Sequence, residues 1–136
     1  MNPSPSNGNR VTKILVADDK ASSRELVRTV LEHCGYEVIE ASDGAEAVEI
    51  ARASEPELIL LDLQMPSLDG FGVVRKLRSE QRFALTPIVA LTASAMHGDR
   101  EKALAAGFSG YITKPIRLKS LRSEVERLLP PRSADD

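Results

Sequence analysis

Five residues of this chain have the side chains needed to move a phosphoryl group onto a carboxylate: Asp18, Asp19, Asp62, Thr92 and Lys114. Asp62 supplies an oxygen nucleophile. The adjacent carboxylates at 18 and 19 repel each other unless a hard divalent cation relieves them, and magnesium favours a few carboxylates with retained waters. The hydroxyl of Thr92 can donate to a phosphoryl oxygen. The ammonium of Lys114 can pair with Asp62 at rest and with phosphate after transfer. Taken singly, these residues have plainer readings as a solvated acidic turn, a turn-forming threonine and a surface lysine. What argues for one site is that all five sit at the same place in their elements.

Each follows a short apolar run: ILVA at 14–17, LILL at 58–61, IVAL at 88–91 and YIT at 111–113. Runs of that length and continuity suit strands buried on both faces of a parallel sheet, whose ligands bind beyond the carboxyl ends of the strands. Strands are expected near 13–17, 36–40, 57–61, 87–91 and 109–113. Helices are expected near 20–34, 43–53, 69–79, 99–106 and 117–129. Leu26, Val27, Val30 and Leu31 fall on one face of the first helix, and Leu118, Leu121, Val125, Leu128 and Leu129 on one face of the last. Gly35 and Gly107 stand where a left-handed residue closes a helix, and Pro130 and Pro131 stop the last one. Five βα units in a row imply an α/β fold with a right-handed, doubly wound parallel sheet and helices on both faces.

The chain of 136 residues has the length of one domain, placed at 11–129 between polar tails at 1–10 and 130–136 that are expected to be flexible. Its net charge of -2 and the lack of a basic stripe argue against nucleic acid binding. Cys34, the only cysteine, permits no internal disulfide and reads as a small apolar residue near a helix end. No run is long enough for a membrane-spanning helix and no signal peptide is visible, so a cytoplasmic protein with no membrane insertion is expected. His33 and His97 read as surface histidines. Lys20 either points to solvent or leans on the neighbouring carboxylates.

The pair Asp18-Asp19, the run LLDLQMPSLDGF around Asp62, the LTA that contains Thr92, and Lys114-Pro115 together resemble the response regulator receiver domain of two-component signalling, in its chemotaxis-regulator-like form. The resemblance spans about Thr12 to Leu129. It implies a flavodoxin-like (βα)5 three-layer sandwich with strand order 2-1-3-4-5. It makes Asp62 the acceptor of a phosphoryl group from a sensor histidine kinase or histidine phosphotransfer protein, with the receiver catalysing its own phosphorylation and dephosphorylation rather than acting as a conventional enzyme. Mg2+ would be held by Asp19, Asp62 and the backbone carbonyl of Gln64, with Asp18 acting largely through water. Gly70 would permit a compact turn beside the acceptor, and Pro115 would follow a cis peptide bond.

The same resemblance couples Thr92 to Tyr111 and through them switches a surface of the fourth helix, fifth strand and fifth helix that contacts a downstream protein. Ala93, Ala95 and Met96 are candidates for that contact. Gln64 and Ser94 would tune the acyl-phosphate lifetime, and neither carries a charge. Three other readings stay open: a receiver belonging to a longer regulator, an aspartate-nucleophile phosphatase on a related fold, and a degenerate receiver that only binds protein. The phosphatase pattern places its two acids two residues apart after the first strand, whereas here they are adjacent.

Overall fold

The computed structural model describes residues 11–93 and 99–129. Both expected tails, Pro130 and Pro131, and the segment with Ser94, Ala95, Met96 and His97 lie outside the described residues. In chain order the elements are β1 (Lys13–Ala17), α1 (Ala21–His33), β2 (Glu37–Ala41), α2 (Gly44–Ser54), β3 (Leu58–Asp62), α3 (Gly70–Arg78), a 3-10 turn (Gln81–Phe83), β4 (Ile88–Thr92), α4 (Asp99–Ala106), β5 (Gly110–Thr113) and α5 (Leu118–Leu128). The five strands form one parallel sheet in the order β2-β1-β3-β4-β5.

Alternation along the central strands divides the core in two. Leu15, Ile59, Leu61 and Ala90 face α2, α3 and α4, packing with Val48, Val73, Leu77 and Ala103. Ile14, Val16, Leu60 and Leu91 face α1 and α5, packing with Val27, Leu31, Leu121 and Val125. Every residue of β3 and β4 is buried, as strands covered on both faces must be. β2, at the edge, carries Glu37 and Glu40.

The structure shifts three strands one residue towards their carboxyl ends, to 37–41, 58–62 and 88–92. Asp62 pairs with Leu91 and Thr92 with Thr113, so both functional side chains hang from the last rung of a hydrogen-bonded ladder instead of from a loop. Leu26 is 43% exposed and Leu118 55% exposed. Helix α1 packs through Val27 and Leu31, and Leu26 falls outside that i,i+4 column. Leu118 is the first residue of α5, and burial begins at Leu121. Gly35 and Gly107 do take left-handed backbone, with φ of 96° and 116°.

Candidate active site

The strand register brings the polar residues to one end of the sheet, each strand reaching at most a step or two beyond the last. Ala17 pairs with Leu61, so Asp18 lies level with Asp62; Thr92 is one step beyond Leu91, the partner of Asp62, and Lys114 follows Thr113, the partner of Thr92. The Lys114 amide donates to the Thr92 carbonyl at 2.7 Å, carrying the ladder one residue past β5. The peptide bond between Lys114 and Pro115 is cis.

Asp18 is completely buried, Asp62 is 5% exposed and Thr92 is 5% exposed, whereas Asp19 lies at the surface. Lys114 Nζ is 2.8 Å from Asp18 Oδ2 and 3.3 Å from Asp62 Oδ2. The resting ion pair expected with Asp62 is therefore shared, and the shorter contact goes to Asp18. That contact is ionic without being an aligned hydrogen bond, and Asp18 Oδ2 has no hydrogen-bond partner. Asp18 Oδ1 accepts from the Lys20 amide at 2.9 Å. Lys20 thus serves the acidic pair through its backbone, while its side chain is exposed.

Asp62 Oδ1 accepts from the amide of Gln64 at 3.1 Å. Burial, followed by repulsion from Asp18, holds the Asp62 carboxyl above the usual carboxylate range, against the Gln64 amide and Lys114, which pull it down. For Lys114, burial works against the charge, but its close ionic contact with Asp18, joined by Asp62, outweighs it and raises the ammonium above the ordinary lysine value. Asp62 is thus raised first by its burial, whereas Lys114 is raised by the two carboxylates that face it.

Carboxylate oxygens of Asp18, Asp19 and Asp62 lie within 4.8 Å of one another. An all-oxygen donor set, with one buried oxygen lacking an aligned donor, fits a hard cation such as magnesium.

The loop after Asp62 is fixed at both ends. Gly70, the first residue of α3, packs so closely that a Cβ there would lie 2.7 Å from the Asp62 carbonyl oxygen and 2.9 Å from Leu63 Cα. Its amide donates to the Leu63 carbonyl at 3.1 Å. Near the loop's middle, Ser67 adopts φ 68°, and its hydroxyl donates to Asp43 Oδ1 at 3.3 Å and accepts from the Ala45 amide at 3.3 Å. This anchor shares the cap of α2, where Asp43 Oδ1 also accepts from the Glu46 amide; the sequence marks the cap but not its contact with Ser67, because the two lie far apart along the chain. Tyr111 is half-buried against the α2–α4 side of the core, paired with Ala90 two rungs before the Thr92–Thr113 pair. Gln64 is exposed beside the acceptor.

A family model described as the response regulator receiver domain matches residues 14–126. The chain belongs to that family. The receiver superposes on the chemotaxis response regulator CheY4 of Vibrio cholerae with a TM-score of 0.83 at 33% identity, over 88% of this chain and 99% of that one. It superposes on the receiver domain of a sensor histidine kinase from Pseudomonas aeruginosa, solved with magnesium coordinated in its active site cleft, with a TM-score of 0.80 at 34% identity, over 87% and 97% of the two chains. In sequence it is 37% identical to the polar-differentiation response regulator DivK of Brucella ovis over 103 residues, 76% of this chain and 84% of DivK. It is 44% identical to the probable transcriptional regulator ycf27 of Porphyridium aerugineum over 86% of this chain, and spans 48% of that relative's length.

The receiver is thus a phosphoacceptor module of two-component signalling, with the flavodoxin-like (βα)5 fold of CheY4. Among the described residues, no helix is long and apolar enough to cross a membrane.

Proposed function

We propose that Asp62 is the phosphoacceptor of a domain spanning 11–129, and that it takes its phosphoryl group from the phosphohistidine of a sensor kinase or histidine phosphotransfer protein. The phosphorus–nitrogen bond of the donor breaks, a phosphorus–oxygen bond to the Asp62 carboxylate forms, and the imidazole leaves with a proton. Such a transfer needs in-line positioning and charge neutralisation more than covalent help. The observation that carries the reading is the convergence of Asp18, Asp62, Thr92 and Lys114 at the carboxyl ends of β1, β3, β4 and β5, with Lys114 Nζ 2.8 Å from Asp18 Oδ2 and 3.3 Å from Asp62 Oδ2.

Asp19, Asp62 and the Gln64 carbonyl hold magnesium in this reading, with Asp18 one step removed through water. When bound, magnesium neutralises charge on the acceptor and on the incoming phosphoryl oxygens. Lys114 then exchanges its contact with Asp62 for a phosphoryl oxygen while keeping Asp18, and Thr92 donates its hydroxyl to another. Movement of Thr92 is coupled to Tyr111, and through it to the face of α4, β5 and α5 that meets a downstream protein. Gln64 and Ser94 flank the path of the hydrolytic water and set the lifetime of the acyl phosphate. The ycf27 likeness favours a second reading, in which the receiver controls an output domain of a longer regulator.

The test is incubation with acetyl phosphate and magnesium followed by intact mass. The wild type gains one phosphoryl group and Asp62→Asn gains none while keeping its far-ultraviolet circular dichroism. An adduct on Asp62→Asn mapped to Asp18 or Asp19 overturns the assignment, and turnover without any adduct supports the phosphatase reading instead.

A further inference from the structure

Arg24 lies in the first turns of α1, outside the five-residue site, and its guanidinium reaches back to the strand end that carries the acidic pair. Its Nη1 donates to the backbone carbonyl of Asp18 at 2.7 Å. Its Nε donates to Glu40 Oε1 on β2 at 2.9 Å. The side chain is only 18% exposed. Glu40 is fixed in turn by Arg28, whose Nη1 is 2.9 Å from the other carboxylate oxygen. Its hydrogen bond from Arg24 outweighs burial and keeps the Glu40 carboxyl below the usual carboxylate range.

The carbonyl that Arg24 holds belongs to the peptide unit joining Asp18 to Asp19. Around it Asp18 is tied at three more points: its amide to the Ala41 carbonyl at 3.1 Å, Oδ1 to the Lys20 amide at 2.9 Å, and Oδ2 to Lys114 at 2.8 Å. Asp19 differs. Among the described residues its exposed carboxylate accepts no hydrogen bond and forms no ion pair. Among the described residues the backbone is therefore the only constraint on where Asp19 presents its oxygens, and Arg24 holds the carbonyl of the peptide unit that carries it.

We propose that Arg24, braced by Glu40, is a positioning residue for the cation site: it sets magnesium affinity by orienting Asp19, without touching magnesium or phosphate. The inference rests on Asp19 being a magnesium ligand. Outer partners of this kind orient ligands that otherwise sample many directions, and their loss weakens metal binding. Simple charge makes the opposite prediction. A guanidinium at the strand end that carries the acidic pair repels a dication, so deleting it would tighten magnesium binding if Coulomb repulsion were its only influence.

The test is calorimetric titration of the full chain with magnesium chloride at fixed ionic strength, on the wild type, Arg24→Gln, Arg24→Lys and Arg28→Gln. Arg24→Gln is expected to raise the magnesium Kd roughly tenfold. Arg24→Lys keeps the charge but lacks the fork that reaches two acceptors, and it should lie between Arg24→Gln and the wild type. Arg28→Gln also removes a cation from Glu40 but leaves the Asp18 carbonyl held, and it should stay within about twofold of the wild type. With acetyl phosphate, the Arg24→Gln loss should appear as a higher magnesium requirement, while the rate at saturating magnesium returns to near the wild-type value.

A Kd for Arg24→Gln that is unchanged or lower overturns the proposal, as does an Arg28→Gln loss equal to that of Arg24→Gln. If Arg24→Gln does not fold, the Arg24→Lys titration decides alone, and an unchanged Kd there overturns it. Absence of magnesium binding in the wild type itself overturns the cation reading of the site, a result distinct from any difference between variants.

Discussion

The carboxyl and amino edges of the sheet, the two ends of its strands, each hold a half-buried cation, and they use it in opposite ways. At the carboxyl edge Lys114 sits between Asp18 and Asp62, with Asp19 close by. At the amino edge Arg78, the last residue of α3, donates to the carbonyls of Phe83 at 2.6 Å, Thr86 at 2.7 Å and Gly107 at 3.0 Å, and to Ser109 Oγ at 3.3 Å. It joins the ends of α3 and α4 to the segments leading into β4 and β5. Its partners are neutral dipoles, and burial lowers its pKa from the ordinary arginine value, yet a guanidinium stays charged throughout the working range. Lys114 faces more carboxylates than it can neutralise. One edge pairs its cation with neutral dipoles; the other sets one ammonium against two carboxylates, an imbalance that the proposed cation would relieve.

The largest expected effect comes from the amino edge. Arg78→Met removes one side chain and leaves several carbonyls at loop ends without their donor, so it should cost about 3 kcal/mol in denaturant unfolding. Because the amino edge lies across the sheet from the carboxylates, magnesium-induced stabilisation should be unchanged in this variant. A reduced magnesium response in a folded Arg78→Met would show that the two edges are coupled. Lys114→Met, at the other edge, leaves Asp18 buried with no counter-ion. It should lose about 2 kcal/mol near neutral pH without magnesium, and magnesium should recover more stability in it than in the wild type. Equal magnesium gains in the two proteins would mean that Asp18 is not electrostatically part of the cation site.

The contrast between the edges also marks how far the sequence could be read. Alternation of apolar runs and helical stripes was enough for the parallel sheet, and the polar residues ending those runs were enough for Asp18, Asp62, Thr92 and Lys114, because a strand's end places its side chain automatically. The amino edge had no comparable signal. Arg78 looks like one more basic residue in the last turn of α3, and its acceptors are backbone carbonyls contributed by positions as far away as Gly107, invisible to any pattern of side chains. The 3-10 turn at Gln81–Phe83 was missed for a related reason: only Phe83 is buried in it, too little for a periodicity. Arg24 and Glu40, sixteen residues apart, form no pattern in the sequence and meet only when α1 and β2 fold beside one another. Leu26 and Leu118 were over-assigned to the core because a helical stripe read from sequence is wider than the column that packs.

Asp62→Asn sharpens the comparison from the carboxylate side. Removing one of three crowded carboxylates leaves Lys114 its shorter contact with Asp18. The variant should therefore be more stable than the metal-free wild type near neutral pH, by about 1 kcal/mol, and should gain less on adding magnesium. Equal or lower stability would mean that attraction to Lys114 outweighs burial and repulsion at Asp62.

The smallest effect is the pH dependence of that difference, and its sign follows from the raised Asp62 carboxyl. A group whose pKa is higher in the folded state binds its proton more tightly there. Its favourable contribution is complete below the unfolded carboxylate value and is lost as pH rises through the higher folded value. Metal-free wild type should accordingly lose stability relative to Asp62→Asn as pH climbs from the ordinary carboxylate range towards neutrality, and the gap should stop widening once Asp62 is ionised in the folded protein. Lys114 contributes nothing to the slope in that window. Its raised pKa keeps its contribution intact below the ordinary lysine value, with loss only as pH rises through the still higher folded value. Arg78 is charged throughout, so Arg78→Met should run parallel to the wild type from acid to neutral pH. Denaturant midpoints for the three proteins, measured in chelator at a series of pH values, provide the check. A gap between wild type and Asp62→Asn that narrows as pH rises would show that Asp62 is held below the carboxylate range, and that the carboxyl edge at rest carries no such imbalance.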